Sequence, residues 1–90
     1  MNDIKEFIKQ LGINDTGNYI NYIYVIDIPD ANAFGKYYSL LDRSELIDED
    51  TESSSVDEDS SNIQFTNDTY VLTLVADFEN SLYKLTIKEN

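Results

Sequence analysis

The sequence has no cysteine, no histidine and no tryptophan, and it has one proline and three glycines among its 90 residues. Without cysteine there is no disulfide framework and no thiol chemistry, which favours an intracellular location. Without histidine or cysteine, the side chains that most often act as bases and nucleophiles are missing, and the glycines form no phosphate-binding loop or nucleophile elbow. We therefore expect a protein that is not an enzyme and that binds no cofactor or metal ion.

Positive charge is scarce: the sequence has six Lys and Arg residues and 18 Asp and Glu residues, which gives a net charge of −12. This charge disfavours direct binding to nucleic acid or to an anionic membrane, and it favours a basic protein surface as the partner. No hydrophobic run approaches the length of a membrane span, and the mixed charge of residues 1–12 is unlike a signal peptide. The richness in Asn, Ile, Asp and Tyr suggests an AT-rich genome, such as that of a low-GC bacterium or its phage. We expect a cytoplasmic location in a bacterial host cell.

Two segments have the spacing of amphipathic helices. The first helix is predicted over 3–11 and ends near Gly12, where a helix usually stops. The second is predicted over about 31–43, with Asp30 as its N-cap. Gly35 within it suggests a close approach to a sheet. The two apolar stripes consist of Ile4, Phe7, Ile8 and Leu11, and of Phe34, Tyr37, Tyr38 and Leu41.

Strand-like segments make up much of the remaining chain. Residues 19–28 are apolar on both faces, which predicts a central strand, and Pro29 ends it. Ile20, Tyr22, Tyr24, Ile26 and Ile28 are expected on one face of that strand. Alternating patterns over 63–65, 70–78 and 83–87 predict a β-meander, and the outward lysines of the last strand suit a sheet edge. We expect one α+β domain over 1–90 in the order α-β-α-β-β-β, with both helices on one face of a mainly antiparallel four-stranded sheet.

Half of the acidic residues lie in the eighteen-residue stretch 42–59, where Arg43 is the only cation. Its composition predicts an acidic loop over about 42–61. The candidate partner-binding residues are its nine carboxylates: Asp42, Glu45, Asp48, Glu49, Asp50, Glu52, Asp57, Glu58 and Asp59.

Calcium binding is one interpretation of this stretch. Asp48, Asp50 and Glu52 follow the spacing of the first three ligands of an EF-hand loop, and Asp59 falls at its twelfth position. Ser53, however, replaces the glycine that the loop requires, and an aspartate replaces the bidentate glutamate. A dedicated EF-hand is therefore not expected, whereas weak, non-specific binding of a divalent ion stays open. Two simpler interpretations stay open: phosphorylation of Ser54 or Ser55, and a solvated loop that keeps a small protein soluble.

Imitation of nucleic acid is a further interpretation. In an extended segment, residues two apart lie about 6.6 Å apart, close to the spacing of successive phosphates along one strand. Asp48, Asp50 and Glu52 would repeat along one edge at this spacing, and the remaining carboxylates would add a second row. A basic groove that neutralises phosphates would accept such a surface.

Small size, strong acidity, the lack of histidine and cysteine, and the acidic stretch 42–59 together resemble the phage-encoded inhibitors that imitate DNA. These include anti-CRISPR proteins, inhibitors of uracil-DNA glycosylase and anti-restriction proteins. The resemblance implies an anti-CRISPR protein that acts on a Cas9-type effector by blocking its basic DNA-recognition cleft. Two alternatives remain: an immunity protein against a basic nuclease toxin, and an acidic adaptor whose loop is purely solubilising.

Overall fold

The computed structural model describes residues 3–14, 17–48 and 53–90. Two helices and a six-stranded sheet confirm the predicted α+β class, but the predicted count of four strands is wrong. The strands lie in the order β1-β2-β6-β5-β4-β3, and every neighbouring pair is antiparallel. The elements are α1 (Asp3–Gln10), β1 (Asn18–Ile20), β2 (Ile23–Ile28), α2 (Ala31–Asp42), β3 (Ser53–Val56), β4 (Ser60–Thr66), β5 (Tyr70–Asp77) and β6 (Leu82–Glu89).

The first additional strand arises because the strand predicted over 19–28 is a hairpin. Asn21 and Tyr22 have φ values of 50° and 72° and form a two-residue turn, so that Ile20 pairs with Ile23. Left-handed backbone at both positions is typical of the type I′ two-residue hairpin loop. Tyr24, Ile26 and Ile28 are buried as predicted, whereas Ile20 and Tyr22 are exposed, so their predicted facing is wrong.

The second additional strand lies within the predicted acidic loop. Ser53–Val56 forms β3 at one edge of the sheet and pairs with β4, which begins at Ser60. Ser55 and Val56 are exposed, as suits an edge strand, and the carboxylates at 57–59 are confined to the turn between the two strands. The region predicted as a loop over 42–61 therefore contains a β-hairpin.

Each helix has a defined local signal at one end. α1 is followed by Gly12, whose φ of 90° suits glycine, and the Ile13 and Gly12 amides donate to the carbonyls of Ile8 and Lys9. This is the Schellman arrangement, with buried Ile13 as its apolar contact. At the start of α2, Asp30 Oδ1 accepts a hydrogen bond of 2.8 Å from the Ala33 amide, as the N-cap prediction requires.

The core lies between the helices and one face of the sheet. The predicted stripes of both helices contribute to it, and Phe7 of α1 stacks on Tyr70 of β5 at a centroid distance of 4.6 Å. The fully buried side chains at its centre are Ile26, Leu41, Phe65, Leu72, Leu74, Leu85 and Ile87. The opposite face of the sheet is covered by neither helix, and its central side chains are half-buried valines and threonines.

Two predictions about position are wrong. β6 is not an edge strand, because it lies between β2 and β5. Its exposed Lys84 and Lys88 point from the uncovered face, which accommodates charge as well as an edge does. Gly35 is exposed, and a Cβ at that position would meet nothing within 4 Å, so it marks no close approach to the sheet.

Candidate partner-binding surface

The six predicted partner-binding residues that the structure describes fall into two groups at opposite ends of the β3–β4 hairpin. The Asp48 amide donates to the Thr66 carbonyl, at the end of β4, whereas the Asp57 amide donates to the Ser60 carbonyl, at its start. Six residue steps separate Ser60 from Thr66, which corresponds to about 20 Å along the strand. Glu49, Asp50 and Glu52 lie outside the described residues.

Asp57, Glu58 and Asp59 form a tight acidic turn between β3 and β4. Their side chains are exposed. The Asp57 bond to Ser60 is 2.8 Å, and the Asp59 carbonyl accepts a second bond of 2.8 Å from the Phe78 amide. These two backbone bonds fix the turn both to its own hairpin and to the end of β5, so three adjacent carboxylates are held on ordered backbone.

Asp77 closes β5 beside this turn, since it pairs in register with Ser60. The Asn80 side chain donates to Asp77 Oδ2 at 2.9 Å, and the Asn80 amide donates to Oδ1 at 3.1 Å. Hydrogen bonds to the charged form favour ionisation. The Asn80 side chain, followed by the Asn80 amide, therefore lowers the pKa of Asp77 below its ordinary value.

Strand directions bring further carboxylates to the same end of the sheet. β2 and β5 both pair antiparallel with β6, so they run in the same direction and end together. Asp30 follows β2, and Glu79 follows β5; both are exposed. We call the resulting group the acidic end, and it consists of Asp30, Asp57, Glu58, Asp59, Asp77 and Glu79.

Sequence reasoning missed three members of the acidic end: Asp30, Asp77 and Glu79. Each stands alone among neutral neighbours or close to a single acid, so no charge run marks it. The available signal was that two predicted strands each end next to an aspartate. That signal indicates a shared surface only when the two strands are known to run in the same direction.

Of the other predicted carboxylates, the three that the structure describes lie at the opposite end of the molecule. Asp42 is the last residue of α2, and Asp42, Glu45 and Asp48 line a shallow cavity of about 550 Å³ together with Arg43. The Asn67 side chain donates to the Leu46 carbonyl at 2.9 Å and so fastens this segment to the β4–β5 turn. Arg43 partly offsets the negative charge of Asp42, Glu45 and Asp48.

Within the described ranges, no group of three or more carboxylates is arranged to hold a metal ion. The EF-hand interpretation would require Asp48 and Asp59 to share one ion, but the hairpin separates them by about 20 Å. Calcium ligands lie at about 2.3–2.6 Å from the ion. These two carboxylates cannot belong to one calcium site in this fold.

Asp27 is electrostatically different from the acidic end. It is exposed on the uncovered face and stands directly opposite Lys84 in the β2–β6 register. Opposite charges on directly paired positions attract, so Lys84 offsets the charge of Asp27. Among the six members of the acidic end, none stands opposite a lysine or arginine in the described strand register.

Comparison with protein-family models, with curated protein sequences and with solved structures gives no significant match. Over the ranges that the structure describes, no helix is both long and apolar enough to cross a membrane.

Proposed function

We propose that this protein is a non-catalytic inhibitor that binds the basic nucleic-acid-binding surface of a DNA- or RNA-processing enzyme by imitating phosphate charge. The observation that carries the proposal is the acidic end, where six carboxylates from three separate parts of the chain meet on ordered backbone. The finer proposal is an anti-CRISPR protein whose target is the DNA-recognition cleft of a Cas9-type effector.

The charge of the acidic end is held in place before any partner arrives. The acidic turn is tied to β4 and β5 by backbone bonds, and two hydrogen bonds from Asn80 fix the position of the Asp77 carboxylate. A preorganised surface loses less conformational entropy on binding than a flexible acidic tail does. Dense charge of one sign also steers the encounter with a basic groove and raises the association rate.

The dimensions of the acidic end support imitation of a duplex. Asp30 follows β2, and the acidic turn precedes β4, so three strand spacings, or about 14 Å, separate the two sides. The major groove of B-DNA is about 12 Å wide. A protein surface that binds phosphates on both sides of a groove would therefore contact Asp30 and the acidic turn at a comparable separation. Asp77 and Glu79 lie between these two sides.

Two matched triple variants test the proposal. The first replaces Asp57→Asn, Glu58→Gln and Asp59→Asn at the acidic end. The second replaces Asp42→Asn, Glu45→Gln and Asp48→Asn at the opposite end. Each removes three negative charges from exposed positions, so the two variants have the same net charge. Their binding to an immobilised Cas9–guide complex is measured across a salt series, together with inhibition of DNA cleavage.

We expect the first variant to bind at least about tenfold more weakly, which is about 1.4 kcal/mol, and to lose inhibition. The second should stay within about threefold of the parent protein. Parent binding should weaken steeply between low and high salt, because charge attraction is screened. Equal losses in both variants would show that only net charge matters, and unchanged binding of the first variant would refute the acidic end as the binding surface.

A further inference from the structure

Residues 18–26 of the β1–β2 hairpin form an uncharged, apolar corner on a strongly acidic protein. They belong to the longest uncharged run of the sequence, the eleven residues 16–26. Tyr22 is 93% exposed and Ile20 is 56% exposed, and Tyr19 and Ile23 are also substantially exposed. Exposed apolar residues that cluster at one place mark an interaction surface more often than residues scattered singly do.

The turn of this hairpin has an unfavourable residue at its most exposed point. Tyr22 has a φ of 72°, a region that asparagine and glycine tolerate and bulky side chains avoid. Because its side chain is almost fully exposed, Tyr22 gains no burial within the monomer that would offset this strain. A strained residue that contributes nothing to the fold points to a role outside it.

A groove lies directly beside Tyr22. It has a volume of about 690 Å³, and Tyr22 itself forms one wall, with Ile4 of α1, Tyr19, Ile23 and Lys88 among the others. Apolar and aromatic walls of this kind are suited to an aromatic side chain. The corner therefore presents a projecting tyrosine and, beside it, a groove in which a tyrosine ring fits.

The charge around the hairpin permits a second copy of the chain to approach. Lys88 and Glu89 flank the groove, and Lys5 and Lys9 of α1 line the adjacent depression beside Gly17 and Tyr24. Among these lining residues three lysines stand against one glutamate, so negative charge does not keep a second acidic copy away here, as it would at the acidic end.

We propose that the β1–β2 hairpin is a self-association surface, on which Tyr22 of each copy enters the groove of the other around a two-fold axis. Such an interface uses the same patch on both copies, and the projection beside a groove meets that requirement. In such a dimer the two acidic ends would lie away from the contact between the copies. Dimer formation does not depend on the proposed inhibitory function.

The exposed apolar area of the hairpin indicates a weak dimer interface. A fully buried aromatic side chain covers about 150–250 Å², so the exposed parts of Tyr19 and Tyr22 supply roughly 200–350 Å² per copy. The two isoleucines raise the apolar total for both copies to roughly 700–1,000 Å², which is below the size of a stable interface and within the range of weak ones. We therefore expect a reversible dimer with a dissociation constant between about 10 µM and 1 mM.

Sedimentation velocity of the purified chain from about 10 µM to 1 mM tests the proposal. Tyr22→Asn is the test variant, because asparagine tolerates the left-handed turn and the fold is retained. Leu82→Asn is the control, since Leu82 is 63% exposed at the other end of the sheet. Thermal melts of both variants confirm folding.

We expect Tyr22→Asn to raise the dissociation constant at least about tenfold with an unchanged or higher Tm, and Leu82→Asn to leave it within twofold. Added NaCl should tighten the dimer, because it screens repulsion between two acidic chains, whereas it should weaken binding to a basic partner. A parent chain that stays monomeric at 1 mM, or a dimer that survives Tyr22→Asn, overturns the proposal. Neither result bears on whether the acidic end binds an enzyme.

Discussion

Gly17→Ala should be among the most damaging small substitutions in this protein. A Cβ at Gly17 would overlap the Val25 carbonyl oxygen, and it would lie 2.8 Å from the Val25 carbonyl carbon and 2.9 Å from Ile26 Cγ1. Two of these three atoms belong to the backbone of β2, so no side-chain rotation relieves the clash. The chain leading into β1 must move away from β2 instead.

The cost can be worked out from what that movement disrupts. Overpacking in a folded region costs about 1–3 kcal/mol. The same displacement lengthens the 2.9 Å bond that the Gly17 amide donates to the Tyr24 hydroxyl, which contributes about 1 kcal/mol. We expect a loss of about 2–4 kcal/mol, equivalent to a Tm lower by roughly 10–30 °C in a domain of this size.

Gly35→Ala is the matched control, since it adds the same methyl group in open space within α2. Alanine is favoured over glycine in a helix interior by about 0.8–1.0 kcal/mol, so this variant should be more stable than the parent. Urea denaturation followed by circular dichroism measures both free energies of unfolding. A neutral Gly17→Ala variant, or two variants that shift in the same direction, would contradict the close packing of Gly17 on β2.

Two further predictions concern the core and the acidic end. Leu74→Ala removes a fully buried side chain of β5 and should lower the free energy of unfolding by about 2–5 kcal/mol. Val75→Ala, on the uncovered face, should lower it clearly less. Equal losses of unfolding free energy in urea melts would show that the two strand faces are assigned wrongly. Asn80→Ala should raise the pKa of Asp77 towards its ordinary value, as followed by NMR titration of the side-chain carboxyl. Because the folded-state pKa is lowered, the stabilisation by this contact is present above the unfolded-state pKa and is lost as the pH falls through the folded-state pKa. An unchanged pKa in the variant would remove Asn80 as the cause.

Helices were the part of the fold most readily predicted from the sequence. Their apolar stripes depend on spacing within a single segment, and Asp30 and Gly12 mark local ends that the structure also has. The faces of β5 were predictable for the same reason, since alternation is a local property. Predictions of this kind need no knowledge of what lies beside the element.

Predictions that depended on neighbours did not succeed as well. A hairpin turn at Asn21 and Tyr22 interrupts a run rich in strand-favouring residues, and Asn21 is followed by tyrosine instead of the glycine that usually marks such a turn. The edge position predicted for β6 rested on Lys84 and Lys88, whose exposure reflects an uncovered face. The acidic end was unpredictable in part because Asp30 and Asp77 become neighbours of the acidic turn only through the strand order.

The position of β6 has a consequence for the order of folding. In the sheet that the structure describes, β6 joins the β1–β2 hairpin to β5, β4 and β3. During synthesis, β2 leaves the ribosome about sixty residues before β6, so one edge of β2 stays unpaired until β6 emerges. Long-range pairing of this kind slows folding and exposes unpaired strands to aggregation. The chain is thus expected to complete its sheet only after β6 has emerged, and a ribosome stalled before that point would present two separate β-units.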